Sequence, residues 1–182
     1  MIGSGPRQYL LAGEDRPSFD VLKAAFDEEL RPADAVERMW ADEIVDLEWD
    51  LHRLRLTRRT IVENDLVDRL TQKVALSNAA LSRHAPAEER LTDGPATLAD
   101  IRYQARKCVN GDPAGVEYVH GALVVLDMAH EIRSVQAENT EVLMRLEASI
   151  HATSRLRDAV IARLYSRREL IADGRVISGR RR

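Results

Sequence analysis

The sequence feature that most constrains the fold is a long run without helix breakers. Residues 33 to 85, 53 in all, contain neither glycine nor proline, the two residues that interrupt helices most strongly. Apolar residues recur through its first part at alternating intervals of four and three, as along one face of an α-helix or a coiled coil. The run therefore predicts one long helical arm. Its apolar stripe consists of Val36, Trp40, Ile44, Leu47, Leu51 and Leu54.

A second run of similar length lies in the other half of the chain. Residues 122 to 173, 52 in all, again lack glycine and proline, and Gly174 follows them. Residues 86 to 121 between the two runs are rich in both breakers, which marks them as a connector. Two arms of nearly equal length on either side of a connector predict an antiparallel helical hairpin.

The predicted fold class is all-α. It consists of two long antiparallel helices, as a coiled-coil-like hairpin or bundle, with short connecting helices. Residues 1 to 16 carry glycines and a proline without apolar period, so we interpret them as a flexible leader. Residues 17 to 173 form a single helical domain, with arms at 33–85 and 122–173 and the connector at 86–121. Residues 174 to 182 are a basic flexible tail.

Helix starts are indicated at four places. A side-chain oxygen just before a helix accepts a bond from an otherwise unpaired backbone N–H, and an acid three residues later can bond back to the cap. Proline fits the first helical position. The sequence leaves open whether the helix that begins at Pro113 continues to residue 173. The candidates are Ser18, Asp34 with Glu37, Thr97 with Asp100, and Asp112 followed by Pro113.

The first arm is divided sharply by charge. Residues 42 to 50 hold five acids and no base, whereas residues 53 to 59 hold four arginines and no acid. In an antiparallel pair with matched ends, facing residue numbers sum to roughly 207, so residues 155 to 168 lie opposite roughly 39 to 52. Glu138, Glu141 and Glu147 then face the region of Arg59 and Arg69. The charge split predicts the register of the partner helix.

The same split is also self-complementary. A helix that is acidic before Leu51 and basic after it can cross a two-fold copy of itself near that residue. A lone hairpin with Trp40 and Trp49 about half a turn apart leaves apolar surface uncovered. We therefore predict a homo-oligomer. The pattern does not separate an intramolecular hairpin from a domain-swapped dimer with the same contacts.

Composition limits the classes of partner and the compartment. A net charge of −3 provides no global attraction to nucleic acid or to anionic membranes, so any basic site must be local. The longest uninterrupted aliphatic run, residues 122 to 126, is too short to cross a bilayer, and a single cysteine forms no internal disulfide. We predict a cytoplasmic protein without a membrane partner. The local candidates for phosphate contact are Arg55, Arg59, Arg180, Arg181 and Arg182.

Several acid and histidine pairs have the spacing of metal ligands on a helix, and none forms a complete site. Two Glu-x-x-His-type motifs ten residues apart on one helix lie about 15 Å apart and cannot share one dinuclear centre. Local ion pairing accounts better for all of them. The lone Cys108 has no placed histidine base. We therefore predict no catalytic residues, no metal and no cofactor. The pairs are Glu117 with His120, Asp127 with His130, Glu48 with His52, and Glu147 with His151.

Two segments resemble a family of uncharacterised bacterial helical proteins often encoded near mobile elements. They read EELRPADAVERMWADEIVDLEWDLHRLRLTRR and RLEASIHATSRLRDAVIARL. In that family an apolar-rich helix carries a tryptophan-leucine-arginine run, and a late segment reads arginine, aromatic, glutamate, alanine, serine. Here Leu146 takes the place of the aromatic residue. The resemblance implies a bacterial helical protein with no assigned activity, so no site residues carry over from it.

The function predicted from the sequence is a non-enzymatic interaction or scaffold protein whose partner is a second copy of the chain or another protein. The alternative is a nucleic-acid-binding accessory protein that uses the arginine-rich helix face and the basic tail. The predicted interaction seam comprises Trp40, Ile44, Leu47, Leu51 and Leu54 on one arm and Leu146, Ile150, Val160 and Leu164 on the other.

Overall fold

The computed structural model describes residues 10–11, 13–84, 96–123 and 126–174. Within these ranges all regular structure is helical, which confirms the all-α prediction. No helix in the described ranges is both long enough and apolar enough to cross a bilayer. The helices are α1 (Arg16–Leu30), α2 (Ala35–His84), α3 (Leu98–Val109), α4 (Pro113–Ala122), α5 (Met128–Glu138) and α6 (Thr140–Ala172).

The helix starts follow from their caps, with one correction. The Thr97 side chain accepts from the Asp100 N–H while Asp100 accepts from the Thr97 N–H, and Asp112 caps α4, as predicted. Asp34 caps α2 by accepting from the Glu37 N–H, whereas the Glu37 carboxylate accepts from the Ala33 N–H rather than from that of the cap residue. The prediction for Ser18 is wrong, because the cap of α1 is Asp15, which accepts the Ser18 N–H and hydroxyl.

The second arm is divided into separate helices. Chain 113–173 is not one helix, because α4 ends at Ala122 and α5 ends at Glu138. Asp127 starts α5 by accepting from the His130 N–H, and the backbone N–H of Asn139 caps the end of α5. Short polar side chains that bond to nearby backbone compete with continued helix, which accounts for the breaks without glycine or proline.

The chain divides into two compact units, and the single helical domain of residues 17–173 stays a prediction. Unit 1 comprises Met1–Leu56 and Arg145–Arg182, and unit 2 comprises Thr57–Met144. Unit 1 therefore contains α1, the first part of α2 and most of α6. Unit 2 contains the second part of α2 with α3, α4 and α5.

Unit 1 has two adjoining apolar clusters. Leu30 of α1, Ile44 of α2 and Leu164 of α6 belong to the first, which ties all three helices together. Phe19 and Trp49 belong to the second, where their rings meet edge to face at 5.3 Å between centroids. Burial of this aliphatic and aromatic surface supplies most of the stabilisation of the unit.

Unit 2 is built around the second part of α2. Its buried core joins residues from α2, α3, α4 and α5. The buried Glu131 of α5 receives a 2.5 Å bond from Lys73 of α2, and Arg69 of α2 forms an ion pair with Glu138 of α5. The core residues are Leu66, Val67, Leu70, Val74, Ile101, Ala105, Cys108, Val119 and Val135.

Gly115 allows α3 and α4 to approach closely. A Cβ at this position would lie 2.5 Å from the backbone nitrogen of Cys108 and from the Cβ of Lys107. We expect Gly115→Ala to lower the free energy of unfolding by about 1–3 kcal/mol, the usual cost of forcing extra volume into a packed contact. Chemical denaturation monitored by circular dichroism measures the change.

Gly121 of the same helix is the matched control. A Cβ there meets nothing within 4 Å. Because alanine is the better helix former, we expect Gly121→Ala to leave the stability unchanged or to raise it by up to about 1 kcal/mol. Equal effects of the two substitutions would contradict the close approach at Gly115.

Candidate functional site: an uncovered apolar stripe and a pocket in unit 1

The predicted seam residues divide into three groups by burial. Ile44, Val160 and Leu164 lie together in the buried cluster of unit 1, and Leu51 is also fully buried. Trp40 and Leu47 are half-buried at the edge of that cluster. The remaining three, Leu54, Leu146 and Ile150, are half-buried and belong to none of the buried clusters of the described chain.

Arginines of α6 meet acids of α2 in unit 1. Arg157 donates to Glu48 at 2.6 Å. Arg167 bonds with the cap of α2 at 2.6 Å to Asp34, and Arg168 bonds with its first turn at 2.9 Å to Glu37. As the α2 residue number falls from 48 to 34, the α6 residue number rises from 157 to 167.

The buried ion pair between Glu37 and Arg168 was not visible in the sequence. The Glu37 side chain is 2% exposed, and it accepts from Arg168 and from the Ala33 N–H. The Arg168 guanidinium also donates to the carbonyl of Leu30, where α1 ends. The bond from Arg168 lowers the pKa of Glu37, so the carboxylate stays ionised although it is buried.

One side of α2 carries an apolar stripe that unit 1 leaves uncovered. Trp40, Leu47 and Leu54 recur at intervals of seven and are only half-buried, whereas Ile44 and Leu51, four residues after the first two, are fully buried. Met39, next to Trp40, is 57% exposed. A seven-residue apolar interval is the spacing by which a helix faces a coiled-coil partner.

The stripe continues onto α6. Leu156, Arg163 and Leu170 also recur at intervals of seven, and Leu156 is 59% exposed. Arg167, three residues before Leu170, places its guanidinium 5.9 Å from the centre of the Trp40 ring. This contact puts the α6 residues on the same side of unit 1 as the α2 residues. We call the whole set the uncovered stripe: Trp40, Leu47 and Leu54 with Met39 on α2, and Leu156, Arg163 and Leu170 on α6.

The opposite side of α2 lines a pocket of about 550 Å³, within the range of small-molecule sites. Trp49 lies nine residues after Trp40, which is two and a half helical turns and therefore the opposite side. Leu22 and Leu56 supply apolar walls, and the His52 imidazole stacks on the Trp49 indole with 5.1 Å between ring centroids.

Glu14 closes one end of this pocket and was not predicted as a site residue. Its carboxylate accepts from Arg53 at 2.5 and 2.8 Å, from the Trp49 indole N–H at 3.2 Å and from the Leu11 N–H at 2.9 Å. The bonds from Arg53 lower its pKa from 4.5 to about 2. Residue 14 falls in the predicted flexible leader, yet its side chain accepts hydrogen bonds from Arg53 and Trp49 of α2.

The Glu14 contacts predict an acid-dependent loss of stability. Because the pKa of Glu14 is lower in the folded chain than in the unfolded chain, its contribution is complete above pH 4.5 and is lost as the pH falls towards about 2. We expect the thermal midpoint of the unmodified chain to fall across this window by more than that of Glu14→Gln. Scanning calorimetry of both proteins from pH 6 to pH 2 checks it. An equal fall of the thermal midpoint in both proteins would contradict the lowered pKa of Glu14.

The candidate phosphate-binding arginines are only partly available. Arg55 lies 3.5 Å from Glu48, and its side chain is 56% exposed. Arg59 forms a 2.5 Å ion pair with Glu63. Arg180, Arg181 and Arg182 lie outside the described residues. The nucleic-acid alternative therefore stays a prediction.

The acid and histidine pairs do not gather into a metal site in the part of the chain that the structure describes. His151 lies 3.7 Å from Glu147, four residues earlier on the same helix. Asp127 is the cap of α5, so its spacing to His130 is that of a capping bond. Cys108 is buried, and burial raises the pKa of its thiol, which lowers its reactivity.

Comparison of the chain with protein-family models, curated proteins and solved structures finds no match. The resemblance to bacterial helical proteins stays a prediction. The functional proposal therefore depends on the geometry of unit 1.

Proposed function

We propose that this chain is a non-enzymatic helical interaction module whose partner is a second copy of itself. The observation that carries the proposal is the uncovered stripe. Its apolar residues on α2 recur at intervals of seven, its α6 part has Arg163 between Leu156 and Leu170, and all of them are half-buried or exposed. Contiguous apolar surface of this kind marks an interaction site. The seven-residue interval suits helical partners.

Charge on the stripe favours a copy of the chain as the occupant. Glu43 on the α2 part and Arg163 on the α6 part are both exposed, and neither forms an ion pair with another described residue. We propose that a two-fold copy lays its α6 along this α2 with each Arg163 beside the partner's Glu43, so that the contact forms twice. Leu51 is fully buried within unit 1, so the copy must contact α2 through Leu47 and Leu54.

We also propose that α2 and α6 pack as antiparallel arms in unit 1 and that α2 and α5 do so in unit 2. The opposed numbering of the Glu48–Arg157 and Asp34–Arg167 contacts supports the first. The contacts of Lys73 with Glu131 and of Asp65 with Asn139 support the second. Each of these contacts links one residue to one partner on the facing helix, so together they select the register.

The proposal predicts that charges placed on the stripe abolish self-association. We expect Met39→Asp combined with Leu156→Asp to prevent association while leaving the fold intact, because both side chains are more than half exposed in the single chain. Burying the two new carboxylates at an interface is costly. Two differently tagged copies, co-expressed and captured through one tag, measure the association.

Val21→Asp is the matched control, because Val21 lies on α1, away from the stripe, and is 70% exposed. The control should retain capture of the second copy. Undiminished capture with the double variant, or equal loss with the control, would contradict the stripe as the interface. Circular dichroism of all three proteins establishes that each is folded.

A further inference from the structure

Three carboxylates and two arginines line the pocket of unit 1. Its carboxylates are already engaged: Glu14 accepts from Arg53 and Trp49, and Glu48 accepts from Arg157. Asp15, the third, accepts from the N–H and hydroxyl of Ser18. Each carboxylate of the pocket therefore already has at least one donor within the protein.

Two other lining residues, Arg55 and His52, make no hydrogen bond to a described residue. Arg55 approaches Glu48 at 3.5 Å without a hydrogen bond to any described residue, and its planar guanidinium offers five N–H donors. The exposed His52 stacks on Trp49 and makes no hydrogen bond to a described residue. The planar guanidinium of Arg55 can bind a carboxylate through two parallel hydrogen bonds.

The walls behind these donors are apolar. Leu22 and Leu56 line the cavity, and Leu56 is 55% exposed although it is a large apolar residue. The Trp49 indole is held in place, because Phe19 packs against its ring edge to face and Glu14 accepts its N–H. A preformed apolar cavity with a few oriented polar groups is the usual form of a small-molecule site.

We propose that this pocket binds a small organic anion with a flat apolar body, such as an aryl carboxylate. The ring of the ligand packs between Leu22 and Leu56 beside the imidazole of His52. Its carboxylate accepts from the guanidinium of Arg55. Trp49 of this site lies on the side of α2 opposite Trp40, and the site does not depend on self-association.

The experiment is calorimetric titration of the full chain with 2-naphthoate and with its uncharged analogue 2-naphthylmethanol. We expect 2-naphthoate to bind with a Kd of about 1 mM or tighter, from the affinity per atom of small ligands. The alcohol should bind about tenfold more weakly, because it loses a charge-assisted bond. Arg55→Gln should weaken binding of the naphthoate about tenfold and leave the alcohol unchanged.

Arg155→Gln is the matched control, since Arg155 is exposed on α6 and does not line the pocket. It should bind both ligands as the unmodified chain does. Ser18→Trp, which places an indole in the pocket from α1, should abolish binding of both ligands. Equal affinities for the two ligands, binding that is insensitive to Arg55→Gln or to Ser18→Trp, or no binding at millimolar concentration would each overturn the proposal.

Discussion

Leu51→Asp is expected to unfold unit 1. Leu51 is 0% exposed in the part of α2 that belongs to unit 1, so the substitution buries an ionised carboxylate and removes packed methyl groups. Together these effects cost about 5 kcal/mol or more, which is comparable with the whole stability of an ordinary domain. Far-ultraviolet circular dichroism should show a large loss of helix at 25 °C or a thermal midpoint lowered by at least about 10 °C.

The control for Leu51→Asp is the same substitution five residues later. Leu56 is 55% exposed, so Leu56→Asp should change the free energy of unfolding by no more than about 0.5 kcal/mol. Unchanged helicity and thermal midpoint in Leu51→Asp would show that this residue is not in the core of unit 1.

The second large effect is expected at the buried ion pair of unit 1. Arg168→Met leaves the Glu37 carboxylate buried without its charged partner, which should cost about 3–5 kcal/mol at pH 7. The bond from Arg168 lowers the pKa of Glu37, and without it burial raises that pKa instead. Protonation of Glu37 then removes the buried charge from the variant. The difference in free energy of unfolding between the variant and the unmodified chain should therefore narrow as the pH falls from 7 towards 4.

Two comparisons isolate the ion pair. The double variant Glu37→Gln with Arg168→Met removes both charges and should be more stable than Arg168→Met alone. Arg38→Met breaks the half-exposed pair with Asp27 and should cost at most about 1 kcal/mol. Urea denaturation at several pH values measures all four proteins. Equal costs for Arg168→Met and Arg38→Met, at every pH, would refute a buried pair.

The helical class and several helix starts could be predicted because their causes are local. Breaker-free runs with helical period predict helices, and the capping pair of Thr97 and Asp100 acts within one turn. The breaks at Asp127 and Asn139 were missed for an identifiable reason. Asp127 and His130 have the spacing of metal ligands on one helix, but the same spacing of three residues is that of an N-terminal cap.

The rest depends on contacts between distant residues. Glu37 and Arg168 are 131 positions apart, and nothing local predicts that they meet in the core. The apolar stripe of α2 was interpreted as one seam. In the fold its residues separate into a buried series and a half-buried series. Ile44 faces the neighbouring helices of unit 1, whereas Trp40 and Leu47 lie at the edge of the same cluster. Only the placement of α1 and α6 reveals which series remains uncovered.

The mass of the chain in solution tests the central claim most directly. Light scattering on a size-exclusion column measures it without tags or labels. If the uncovered stripe binds a second copy, the peak has twice the chain mass of 20.5 kDa or a higher multiple, and Met39→Asp with Leu156→Asp returns it to one chain mass. A peak of one chain mass for the unmodified protein at every concentration would contradict self-association through the stripe.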